Sequence, residues 1–221
     1  NMLHLLRKKI GEDSSRVLTN IFLSFLIKGG ALIVSLLTTP IYIKYFNNNS
    51  VLGVWFVALS ILTWILQFDF GIGNGLRNRL VENLEKKDEE KCKKYISSAY
   101  FVILLLVIVI FIIFLIINNF LPWNIILGVS NEELDIAVIR TSMLIVSAGI
   151  CLQMLLQLIN SISYAFQRSF VPGLMVLITN TLLLLYALIA NNFGFNGSII
   201  NLSISYSLSV NVPLLIMSLF F

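Results

Sequence analysis

The sequence predicts an all-α integral membrane protein, a six-helix transmembrane bundle, and three observations predict it. Hydrophobic residues make up 58% of the chain and charged residues 12%, about half the charged share of an ordinary soluble domain. The stretch 100–117 holds no charged residue and one hydroxyl, that of Tyr100. With its flanks it reaches the ~20 apolar residues that a bilayer span needs. Finally, cations are distributed unevenly among the segments that join the apolar runs.

The runs place spans at about 19–43, 51–69, 97–120, 136–158, 170–190 and 198–221. With the N-terminus inside, the cytoplasmic segments are 1–18, 70–96 and 159–169. They carry Arg7, Lys8, Lys9, Arg16, Arg77, Arg79, Lys86, Lys87, Lys91, Lys93, Lys94 and Arg168. The outer segments 44–50, 121–135 and 191–197 carry Lys44 alone. Twelve cations against one is a positive-inside bias, and it puts both ends of the six-span chain in the cytoplasm. The same bias accounts for the net charge of +4 and pI of 9.1 without a nucleic-acid partner.

The basic N-terminal segment followed by an apolar run has the outline of a signal peptide. The run is too long and lacks a small-residue cleavage site, so it reads as an uncleaved first helix. In the inner loop, Glu82–Lys86, Glu89–Lys93 and Glu90–Lys94 are acid-before-base pairs at i,i+4, which support an exposed helix over 80–95. In the outer loop, Trp123 reads as an interfacial anchor. Residues 200–212 alternate strictly between apolar and polar, a strand pattern in isolation. A lone strand cannot cross a bilayer because its backbone groups lack partners, so the segment is expected to be helical, bent at Pro213, with its serines and asparagines packing against other helices. Pro172-Gly173 marks an expected bend at the start of span five. The apolar run to Phe220 and Phe221 suggests the N-terminal portion of a longer protein.

Function must be read from the few polar groups among these spans. Asn20, Ser24, Lys28, Ala31, Ser35, Thr38 and Thr39 fall within an arc of about 100° on span one. Lys28 is the cation in that stripe, and intramembrane charge is costly and usually functional. It suits an anionic headgroup, with Ser24, Ser35 and Thr39 as the cavity stripe. The bland alternatives are neutralisation by a carboxylate and snorkelling. Arg140, one turn into span four, suits bidentate phosphate binding, or a structural role beside Asp135 or Glu133. Asp69 ends span two and suits a cap, an ion pair or a proton carrier. Gln153, Gln157 and Asn160 read as interhelical glue more than as cavity lining.

Gly71, Gly73 and Gly75 follow a membrane span rather than a βαβ strand, so they are not a dinucleotide fingerprint. The two cysteines, Cys92 and Cys151, form no metal-spaced or redox pair, and His4 is the sole histidine. No catalytic constellation, metal site or cofactor motif is present in the sequence, which points away from an enzyme.

The run Gly53-Val54-Trp55, the decapeptide from Asp69 to Asn78 (Asp-Phe-Gly-Ile-Gly-Asn-Gly-Leu-Arg-Asn) and the segment from Lys93 to Tyr100 resemble bacterial polysaccharide flippases. These translocate O-antigen and capsule lipid-linked oligosaccharides and share a superfamily with the MATE exporters. The resemblance implies one lobe of a two-lobed transporter of twelve to fourteen helices, with this chain as the N-terminal lobe. It implies alternating access at the bacterial inner membrane, with undecaprenyl-diphosphate-linked repeat units as substrate and polysaccharide polymerases or synthases as partners. Lys28 and Arg140 are then the substrate-binding candidates, and Asp69, Asn74 and Arg77 the coupling or gating candidates. A MATE-like drug/cation antiporter and a non-transporting accessory protein of envelope polysaccharide assembly are the alternatives.

Overall fold

The structure, a computed structural model, describes residues 2–66, 71–130, 132–194 and 197–220; side chains are described from residue 18 onward, residue 62 apart. All regular structure among the described residues is helical: α1 Met2–Phe46, α2 Asn49–Ile65, α3 Ile72–Glu85, α4 Glu89–Asn118, α5 Trp123–Leu127, α6 Ile136–Leu156, α7 Leu158–Ala165, α8 Phe170–Phe193 and α9 Ile199–Leu219. Five stretches are long and apolar enough to cross a bilayer: Leu18–Phe46 in α1, α4, α6 with α7, α8 and α9. The chain is a multi-pass helical membrane protein. The expected second span is α2, which is apolar but has 17 residues, and its expected end at 67–69 lies outside the described residues.

The segment expected as the cytoplasmic loop is largely helical among its described residues, in α3 and the start of α4. Gly71 opens α3 with φ 74°, a left-handed conformation that glycine adopts without steric cost. α3 then buries Gly73, Leu76, Leu80 and Asn83 against α4 and α7. The exposed helix expected over 80–95 is broken in two. Lys87 turns the chain with φ 55°, and the Asp88 carboxylate caps α4 through the Lys91 amide at 3.1 Å. The ion pairs that form are Lys86–Glu82 at 2.7 Å, Arg79–Glu82 at 3.5 Å and Lys91–Asp88 at 2.7 Å. The first keeps its expected spacing; the Lys91–Asp88 contact belongs to the cap.

Trp123 departs from the expected anchor. It is buried at the corner between α4 and α5, where its indole N–H donates to Asn118 Oδ1 at 2.9 Å. The corner turns inward because Asn118 meets the indole's polar atom, leaving Phe120 and Ile125 on the exposed side.

The alternating segment 200–212 is helical throughout, and α9 continues through Pro213. Its polar residues pack as interhelical groups. Ser207 Oγ donates to Ile145 O at 3.0 Å and Asn211 Nδ2 to Gly149 O at 2.8 Å, so α9 is fastened to α6. Pro172 and Gly173 lie in the first turn of α8, where a proline lacks no needed hydrogen bond.

α1 packs along α8, α6 along α9, and α3 and α6 against α4. The core forms two apolar clusters. One gathers Tyr42, Tyr45, Trp55, Trp123 and Leu202; the other gathers Leu76, Leu80, Ile103, Met154 and Leu158. α4 turns Phe101, Leu105, Val109, Ile112 and Ile116 outward, a face suited to lipid.

Candidate functional site

Part of the polar stripe of α1 meets the α8 side, while Lys28, Ser35 and Thr39 stay exposed. Asn20 Nδ2 donates to Gln167 O at 3.3 Å, and the Ser24 and Ser169 hydroxyls meet at 3.2 Å. Further along, Asn180 Nδ2 donates to Ala31 O at 3.0 Å. Gly173 admits the stem of Lys28: a methyl group at that glycine would touch Lys28 Cγ at 3.5 Å. Small and polar side chains therefore bring two membrane helices together along a seam that carries a charge.

Beside the seam lies an open cleft of about 530 Å³ lined by Lys28, Ser35, Tyr164, Pro172, Val176 and Asn180 among others. Lys28 is its sole charged lining residue among the described residues, and no described carboxylate pairs with it. Neutralisation by a carboxylate is therefore absent among the described residues. Lys28 is exposed on this cleft, whose other lining is mostly apolar with Ser35, Tyr164 and Asn180 as its polar residues, so its ammonium is open to an anion.

Two further cavities adjoin this one. A 200 Å³ cavity is lined by Ser35, Thr38, Thr39, Tyr42, Asn180 and Tyr206 among others. Another, of 220 Å³, is lined by Gln153, Gln157, Asn160, Thr179, Asn180 and Tyr206 among others. Asn180 borders all three, so its one side chain joins the α1–α8 seam to the interior of the bundle. Ser35 and Thr39 thus line these clefts, and both are exposed. Ser24 sits nearer the start of α8, where it also donates to Asn20 O at 2.7 Å.

The structure separates Arg140 from this system. Its guanidinium Nη2 donates to Asn119 O at 2.9 Å, the C-cap of α4, and its Nε is buried without a hydrogen-bond partner. A cation at a helix C-terminus satisfies orphan carbonyls and meets the negative end of the helix dipole. Neither suspected acidic neighbour takes it: Asp135 caps α6 through the Ala137 amide at 2.9 Å, and Glu133 accepts from Ser50 Oγ at 3.0 Å.

Of the gating candidates, Asp69 lies outside the described residues. Asn74, on α3, lines a 340 Å³ cavity with Gln157, Asn160 and Ser161. Arg77 lies over the Tyr164 ring, 5.4 Å from its centroid, a cation–π contact worth ~0.5–1 kcal/mol at an exposed site. Since Tyr164 also lines the Lys28 cavity, the glycine-rich run of α3 reaches the site through one aromatic ring.

Gln153, Gln157 and Asn160 prove to be cavity lining rather than glue. No side-chain hydrogen bond joins them to a described residue, and Gln153 Oε1 and Asn160 Oδ1 are buried without a partner. Gln157 stands at the junction of α6 and α7, with φ −68° and ψ −9°, and the chain stays right-handed helical through it. Their spacing of four and three residues along one helical face was the available signal.

No protein-family model matches the chain, and neither do curated proteins or solved structures.

Proposed function

We propose that this protein is a flippase lobe that moves undecaprenyl-diphosphate-linked polysaccharide repeat units across the bacterial inner membrane by alternating access. In this reading six spans form the N-terminal lobe of a two-lobed transporter of twelve to fourteen helices, with the N-terminus cytoplasmic. The observation that carries it is Lys28: an exposed cation with no described counter-charge, in an apolar span, on a mostly apolar cleft to which Ser35, Tyr164 and Asn180 add polar groups. A diphosphate supplies the anion and a sugar supplies groups that hydrogen-bond, while the outward apolar faces of α1 and α4 leave the lipid tail in the bilayer. The resemblance over residues 53–100 favours the same reading. Polysaccharide polymerases or synthases are the partners this role implies.

A MATE-like cation antiporter requires anionic lining to attract its cargo. No carboxylate lines the Lys28 cavity or the two adjoining it among the described residues, which favours an anionic cargo. A non-transporting accessory protein of envelope polysaccharide assembly would leave Lys28 dispensable. Translocation of a fluorescent lipid-linked oligosaccharide in proteoliposomes separates these readings. Lys28→Gln is expected to abolish it and Lys28→Arg to retain part of it; full activity in Lys28→Gln would remove the proposal.

A further inference from the structure

The segment from Lys93 to Tyr100 takes no part in the Lys28 cleft or the two beside it. Its spacing serves the outside of the bundle. Lys94, Ser98, Phe101, Leu105, Ile108 and Ile112 follow one another at four and three residues, which sets them on one face of α4. All six are exposed. The opposite face, with Cys92, Ala99, Ile103 and Val107, is buried. α4 thus presents one continuous outer surface, apolar from Phe101 onward and ending in a lysine and a hydroxyl. Lys93 and Ser97, also four residues apart and exposed, flank Lys94 and Ser98 and double that polar end.

Neither lysine is held by a described carboxylate. The ion pairs of this region are Lys86–Glu82, Arg79–Glu82 and Lys91–Asp88, so the expected Glu89–Lys93 and Glu90–Lys94 pairs do not form. Glu89 and Glu90 stay in the first turn of α4, where the helix dipole favours an acid, and they lie farther from the apolar face than the lysines do. Lys94 precedes Phe101 by seven residues, about 10 Å along the axis. Helical side chains lean toward the N-terminus, which carries both ammoniums away from the hydrocarbon and into the headgroup layer. A phosphate at that level meets two cations and two hydroxyls, and an acyl chain attached to it continues along Phe101, Leu105 and Ile108. We infer that Lys93, Lys94, Ser97 and Ser98 form a binding patch for the phosphate of an anionic phospholipid. Basic residues next to a span attract anionic lipid; here the adjoining apolar face adds a bed for the chains, which a soluble phosphate would leave uncovered. The patch lies outside the clefts of the bundle, so the inference does not depend on the flippase reading.

The test needs a local reporter, because lipid can also meet cations elsewhere on the chain. Phe101→Trp places an indole where the first acyl carbons would lie, and Trp64→Phe removes an exposed indole from the background. Quenching by brominated phosphatidylglycerol and by brominated phosphatidylcholine, in mixed bilayers, then gives the relative affinity of the two lipids at this position. Phosphatidylglycerol is expected to be preferred about tenfold or more, at about fivefold for each lysine. Lys93→Gln with Lys94→Gln should bring the ratio to about one, and Lys94→Arg alone should keep it. Quenching by brominated phosphatidylcholine alone should be unchanged in these variants, which shows that the α4 face is folded and still meets lipid. Lys86→Gln with Lys91→Gln removes the same charge from lysines that are already paired and should leave the preference in place. A ratio of one with the patch intact, or a ratio untouched by the Lys93 and Lys94 changes, overturns the inference. An equal loss in the Lys86 and Lys91 variant assigns the preference to overall charge and overturns it too. Loss of the preference on adding inorganic phosphate, but not sodium chloride of the same ionic strength, would make the patch a free-phosphate site and overturn the lipid assignment.

Discussion

Lys28 and Arg140 are both intramembrane cations, and their surroundings give them opposite roles. Arg140 donates from Nη2 to the end of α4; Lys28 has an open cleft. The sequence treats them alike because depth and charge are properties of one residue, whereas a free or occupied cation depends on what the next helix presents. Gly149 makes the same point about packing. A methyl group there would lie 2.7 Å from Ser207 Cβ and 3.1 Å from Ser207 Cα, so α9 has no room to yield without moving its backbone. Gly149→Ala is expected to destabilise the protein by about 1–3 kcal/mol, read as a lower melting temperature in detergent. Ser207→Gly should recover much of the loss, and the two changes should be strongly non-additive. An unaltered melting temperature in Gly149→Ala would contradict the close α6–α9 approach.

The α3–α4 turn shows how an element boundary is decided by a side chain. The acid–base spacing over 80–95 suits one continuous helix, yet Asp88 takes the cap position and Lys87 adopts a left-handed turn. The Lys91 ammonium and backbone amide hold the Asp88 carboxyl below the ordinary carboxylate range. A carboxyl with a depressed folded pKa contributes stability above its unfolded pKa and loses it as pH falls through the folded value. Protection of the Lys91 amide from hydrogen exchange is therefore expected to be level from neutral pH down to about 5, and to fall below about 4. In Asp88→Ala the amide should be unprotected across that whole range. Equal protection in the wild type and Asp88→Ala would show that the cap is not what starts α4.

On the scale of the whole molecule, the bilayer imposes an alternation of sides that the cation distribution labels. Ser130 and Glu85 are both exposed, in segments assigned to opposite faces of the membrane. In a background without Cys92 and Cys151, Ser130→Cys is expected to react with an impermeant thiol reagent in intact cells, and Glu85→Cys only after permeabilisation. The reverse pattern would invert the orientation.

Helical class, the positions of the apolar runs and the polar stripe of α1 were determined by the sequence alone. Each follows from local hydropathy and from a 3.6-residue period, which need no knowledge of neighbours. Even the alternating segment of α9 yielded to one physical rule, that a lone strand leaves its backbone unpaired in lipid. The tertiary structure decided which polar residues are free. Asn180 reaches a carbonyl 149 positions away, Arg140 is committed to the end of another helix, and the amides of the α6–α7 junction meet a cavity instead of a partner. A hydrogen-bonding group has the same chemistry wherever it stands; only the helix packed opposite determines whether that chemistry is consumed in holding the bundle together or left available to a ligand.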